Sequence, residues 1–97
     1  MKECNLIQCE ICKIFSNPHR LEILLALRDG SKTVSEIIKR TDASQSVVSQ
    51  HLSMMKARGI LETERKGAFI HYKLRYSEIM DAFDIMRAVS QKTMPKK

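Results

Sequence analysis

No stretch of this 97-residue chain approaches the roughly 18 consecutive apolar residues of a membrane-spanning helix, and no helix combines a basic face with exposed aromatics, so neither a membrane span nor a membrane partner is expected. The opening MKECNLIQCEICKIF lacks the apolar core and small-residue cleavage site of a secretory signal, and the expected location is the cytoplasm. Neither a linker, an internal repeat nor a low-complexity tract interrupts the chain, so one domain with a modest core is expected, helped by a partner subunit. Acidic residues are in deficit. Seventeen Lys and Arg against 11 Asp and Glu leave a net charge of +6, which favours negatively charged partners, nucleic acid first among them. Cysteine is scarce and odd in number: Cys4, Cys9 and Cys12 cannot pair completely within one chain, and reduced thiols are ordinary in the cytoplasm.

The residue types needed for catalysis do not assemble. Cys9 and Cys12 have no local histidine, the serines sit at helix starts or on a polar helix face, and the carboxylates are scattered over helical surfaces. Cys9-Glu10-Ile11-Cys12 is a CxxC, the signature of a thiol oxidoreductase, but no strand precedes it as that context requires. A non-enzymatic protein is expected. His19 and His71 lack neighbours at ligand spacing and are assigned to structure or surface.

What is present is helical at both ends. Asn5 and Gln8 can form a capping box for a first helix, residues 1–16 with its lead-in, placing Ile7, Ile11, Ile14 and Phe15 on one side. Asn17-Pro18 breaks this run and restarts it. HRLEILLALRDG then reads as a helix buried nearly all round through Leu21, Leu24, Leu25 and Leu27, ended by Gly30. Thr33 and Glu36 form another capping box opening VSEIIKRT, Asp42 and Ala43 make a turn, and Ser44 caps QSVVSQHLSMMKARG. Two short helices about a tight turn fit a helix-turn-helix. After Gly59 the period changes to two: strands over Leu61–Arg65 and Phe69–Leu74 joined by Lys66-Gly67 give a hairpin behind the second helix, a wing. Residues 76–92 form a last helix with Ile79, Phe83 and Met86 in a broad apolar stripe, and 93–97 a basic tail. The predicted fold is mainly α with a β-hairpin wing, its DNA-binding core and wing spanning 17–75.

In the second helix of the pair Val48, Leu52 and Met55 follow i, i+4, i+7 toward the body, leaving Gln45, Ser46, Ser49 and Gln50 opposite, near the amino end. That end enters the major groove of double-stranded DNA in helix-turn-helix proteins, where glutamine pairs with adenine and serine with several base edges. Val47 is a candidate for a thymine methyl. Ser44, His51, Lys56, Arg65, Lys66 and Lys73 are candidates for phosphate or supporting contacts, with Lys66 at the hairpin tip preferred.

The stretch from VSEIIKRTDASQSVVSQHL through SMMKARGILETERKGAFIHYKL resembles the winged helix-turn-helix of the ArsR/SmtB family of small repressors. The resemblance implies that Ser44 to Arg58 reads the major groove and that the hairpin about Lys66-Gly67 is the wing. It also implies a homodimer joined by the first and last helices, through Ile7, Ile11, Ile14, Phe15, Ile79, Phe83 and Met86, repressing from a palindromic operator until an inducer binds. The contrasting reading is a dimerising winged-helix interaction module that reads no specific operator.

Three inducer sites familiar in that family are absent in their usual form: VSEIIKRT has no cysteine, and the last helix offers Glu78, Asp81 and Asp84 but neither histidine nor cysteine. The inducer is therefore unassigned. Cys4, Cys9 and Cys12 retain four readings: small packing residues, a redox switch, a thiophilic metal or metalloid site, or an iron-sulfur centre with an open position.

Overall fold

The computed structural model describes residues 13–93. In chain order the elements are α1 (Pro18–Leu27), α2 (Val34–Lys39), α3 (Gln45–Ala57), β1 (Leu61–Lys66), β2 (Phe69–Leu74) and α4 (Glu78–Thr93). Among the described residues no helix is long and apolar enough to cross a membrane.

Local chemistry sets most helix starts. The Asn17 side chain accepts from the backbone N–H groups of His19 and Arg20, and Pro18 occupies the first turn of α1, where no donor is needed. Thr33 and Glu36 complete a reciprocal capping box at α2. The Glu36 carboxyl is held below its ordinary value by the backbone hydrogen bond from Thr33 first, and by the Thr33 side chain second. The Ser44 hydroxyl accepts from the Val47 N–H and caps α3.

The core gathers Ile23, Leu24 and Leu27 of α1, Ile37 of α2, Val48, Leu52 and Met55 of α3, Leu61 of β1 and Met80 of α4. Two expectations change here. Leu25 is 37% exposed, so α1 is not buried all round; its neighbours α2, α3 and β2 cover one broad side and leave the other to solvent. The helix also stops at Leu27, before Gly30, whose N–H closes a turn onto the Leu27 carbonyl.

Strands β1 and β2 pair antiparallel from Leu61↔Leu74 to Lys66↔Phe69. The loop is therefore Gly67-Ala68, one residue beyond the expected Lys66-Gly67, and Lys66 forms the last rung. Only Gly67 of this pair has a positive φ, +61°, the sign pattern of a type II′ turn whose twist suits the strands. At the other end Lys32 and Tyr72 exchange backbone hydrogen bonds of 2.9 and 2.8 Å, a one-residue bridge that ties β2 to the α1–α2 connection. The pattern of side chains did not announce this bridge, because backbone pairing of a single residue leaves no periodicity.

Candidate nucleic-acid interface

Helix α3, the expected reading helix, is amphipathic in the sense that role requires. Val48, Leu52 and Met55 are fully buried, which pins one side of the helix and leaves Gln45, Ser46 and Gln50 exposed. Ser49 is half-buried at the edge of that polar side. Val47 packs partly against the core, so its methyl groups are shared between body and surface rather than standing free. Ser44 serves the helix as its cap, and its hydroxyl lies 3.5 Å from that of Ser46. Lys56 is exposed in the last turn of α3.

What steadies this helix from behind is a polar cluster on α1. The His51 ring lies beside that of His19, and the His19 Nδ1 lies 3.3 Å from a Glu22 carboxylate oxygen. The other Glu22 oxygen accepts from the Asp42 N–H in the turn between α2 and α3. Loss of water on burial is the main cause holding His51 below its ordinary value of 6.5, with the Arg20 charge and His19 adding to it. The structure thus sets the half-buried His51 ring against His19 of α1. His19 and Glu22 carried no motif to mark them, since their importance comes from packing across two helices.

Arg20 has a separate task. Its Nε donates to the Ile14 carbonyl at 3.2 Å and a terminal nitrogen to the Lys13 carbonyl at 2.8 Å, closing the end of the preceding helical turn. This draws Ile14 into the chain's own core, 1% exposed, instead of leaving it on an outer face as the sequence led us to expect. Phe15 is half-buried and stacks on Phe83 of α4 with centroids 5.9 Å apart. Ile79, Met80 and Phe83 pack on the core, while farther along α4 Ile85, Met86 and Val89 are exposed, so only the distal part of its apolar stripe is uncovered by the described residues. An apolar cleft of about 320 Å³ opens beside it, between Phe15, Ile60, Tyr76, Ile79 and Ala82.

The wing follows α3 almost directly. The Ile60 N–H donates to the Met55 carbonyl and the Arg75 N–H to the Ile60 carbonyl, which fixes the base of the hairpin to the end of the reading helix. Its cations are not all equivalent. Lys66 pairs with Glu64 at 3.3 Å and Lys73 with Glu62 at 3.5 Å, while Arg65 donates to the Gly67 carbonyl at 3.4 Å. Both ion pairs are about half exposed and readily exchanged. Ahead of the turn, Arg40 pairs with Asp29 at 3.1 Å.

Cys4, Cys9, Cys12, Ile7 and Ile11 lie outside the described residues. Among the described residues no group of three or more His, Cys, Asp or Glu side chains is arranged to hold a metal ion.

Comparison with known proteins gives the same architecture. The family model described as "Bacterial regulatory protein, arsR family" matches residues 17–63, from the α1 cap into β1. The transcriptional repressor SdpR of Bacillus subtilis is 32% identical over 76 residues, covering 78% of this chain and 84% of that protein. The transcriptional activator HlyU of Vibrio cholerae is 30% identical over 76 residues, covering 78% and 70%. Among solved structures, the homodimeric winged helix-turn-helix DNA-binding domain of Mb0332 from Mycobacterium bovis superposes with a TM-score of 0.81 at 22% identity, covering 97% of this chain and 87% of that one. A capped reading helix pinned to the body, a hairpin wing at its end and relatives of this identity and coverage lead to one assignment: the chain belongs to the ArsR family and is a winged helix-turn-helix, DNA-binding transcriptional regulator, not an enzyme.

Proposed function

We propose that the protein binds a palindromic operator as a homodimer and represses transcription until an inducer acts on its amino-terminal thiols. The observation that carries operator reading is the exposure of Gln45, Ser46 and Gln50 opposite the fully buried Val48, Leu52 and Met55. In that arrangement two glutamines and a serine meet base edges, and Ser49 supports them from the rim of the groove. Lys56 and the wing cations grip phosphates.

Dimerisation is supported by the uncovered distal part of the apolar stripe of α4, where Ile85 is 67% and Val89 52% exposed. The homodimeric state named for the Mb0332 domain points the same way. A two-fold dimer presents two reading helices to two half-sites, which makes the operator palindromic. SdpR is named a repressor and HlyU an activator, so relatives act in both senses; repression is the sense proposed here. The thiol part of the reading rests on Cys4, Cys9 and Cys12 lying within nine consecutive positions, where oxidation or a thiophilic ion can join them.

The test is selection of bound fragments from genomic DNA, followed by footprinting and by light scattering of the free protein. Recovery of a two-fold symmetric site by a dimer supports the proposal. Weak binding of all duplexes alike, with steep salt sensitivity, overturns operator reading. A C9S/C12S double variant whose repression responds to oxidants and thiophilic metals as the wild type does would remove the thiol inducer.

A further inference from the structure

On the wing Lys66 and Lys73 are each paired with a carboxylate, and the tip exposes apolar side chains that phosphate contact alone does not use. On one face of the hairpin, Glu62 stands opposite Lys73 and the Glu64–Lys66 pair lies two positions farther out, so two cations meet two carboxylates. At the tip the chain turns through Gly67-Ala68 and exposes two large apolar side chains in succession, Phe69 at 64% and Ile70 at 49%. Phe69 faces Lys66 across the last rung, and Ile70 faces Arg65. Neither apolar residue contributes to the core. Phe69 shares one face of the hairpin with Lys66 and Ile70 the other with Arg65, at the distal end of a hairpin whose base is fixed to the end of α3.

We infer that the wing tip is an apolar wedge, in which Phe69 presses against the sugar and base edges of the minor groove while Arg65 holds the adjoining phosphate. This rests on the operator-binding reading and adds a residue that determines the shape of the bound DNA. Apolar side chains that enter the minor groove part a base step and bend the duplex, at a cost that depends on the flexibility of that step. The wedge therefore selects for a deformable step, such as a pyrimidine–purine step, outside the major-groove half-site. It reads deformability and not hydrogen-bonding pattern. Lys66 sits across the rung from Phe69 and, released from Glu64 by a competing phosphate, supplies charge at the rim of the wedge.

The experiment uses the full chain and the duplex recovered from genomic selection, with 2-aminopurine replacing adenines in the segment flanking each half-site. Wild type, F69A, F69L and R65A are compared by affinity at several salt concentrations, by 2-aminopurine fluorescence and by the bend angle from end-to-end energy transfer. Phe69 is exposed, so far-UV circular dichroism should match wild type in every variant. F69A should lose affinity by about tenfold, as truncation of an aromatic–base contact does. It should also lose the fluorescence rise and part of the bend while keeping the salt dependence. F69L should restore most of the bend. R65A should lower the salt slope by about one and leave the fluorescence rise intact. F69A with wild-type affinity and bend overturns the wedge, and a change in F69A confined to self-association would assign the tip to a second copy instead. If wild type itself selects no duplex, the operator reading falls and the wedge with it.

Discussion

The imidazole of His51, on the reading helix, lies 6.4 Å from that of His19, in the first turn of α1, measured between ring centroids and tilted by 37°. The pair joins α3, the proposed reading helix, to α1. Around it stand Arg20 and Glu22 from α1, with Glu22 also holding the Asp42 N–H of the intervening turn.

Stability should therefore fall on mild acidification. Burial holds the folded pKa of His51 below its ordinary 6.5, so on acidification the unfolded chain takes up this proton first. The contribution is fully present above about pH 6.5 and is lost as the pH falls through the lowered folded value. Urea midpoints measured from pH 8 to pH 5 should decline for wild type and decline less for H51Q. Parallel curves would rule out His51 as the source.

Leu52 is fully buried on the inner side of α3, one turn from Val48 and Met55. L52A should cost about 2–5 kcal/mol, because transfer energy is lost and a cavity remains in a small core. Denaturant unfolding reads this directly, and a loss below about 1 kcal/mol would mean that the site collapses around the gap.

Ser44 and Gln50 separate folding from reading. S44A removes the hydroxyl that accepts from the Val47 N–H and should cost about 1 kcal/mol of stability. Gln50 is exposed, so Q50A should leave the unfolding midpoint near wild type. On the proposed operator, Q50A should lose about 1–3 kcal/mol of discrimination at one base position, seen as relaxed preference in competition binding.

Gly67 is required for its backbone. Its φ is +61°, and a Cβ added there would meet no atom within 4 Å, so the cost of G67A is conformational and not steric. G67A should destabilise by about 1–2 kcal/mol, and G67N by less because asparagine tolerates this region. Thermal melts of the two variants should fall in that order.

Much of this architecture was legible because it is local. The Thr33–Glu36 box and the Ser44 cap span three residues each, and the Val48, Leu52, Met55 stripe repeats within one helix. The hairpin was legible as a change of period, but its loop was displaced by one residue. That displacement matters: with Lys66-Gly67 as the loop Lys73 would face Ile60, whereas the observed register sets it against Glu62. The charge balance of the wing follows from register, which spacing alone left open.

The sequence by itself determined where helices start, where the period turns to that of strands and which side of α3 must face the body, because caps, alternation and helical repeats act over a few residues. Only the tertiary structure decided that Ile14 is buried within one chain, that Leu25 is not, that His19 backs His51, and that Lys32 bridges Tyr72. Each of these joins residues from different elements. Their meeting is set by how the packed faces of α1, α3 and β2 close over a shared core, and such packing leaves no mark in local spacing.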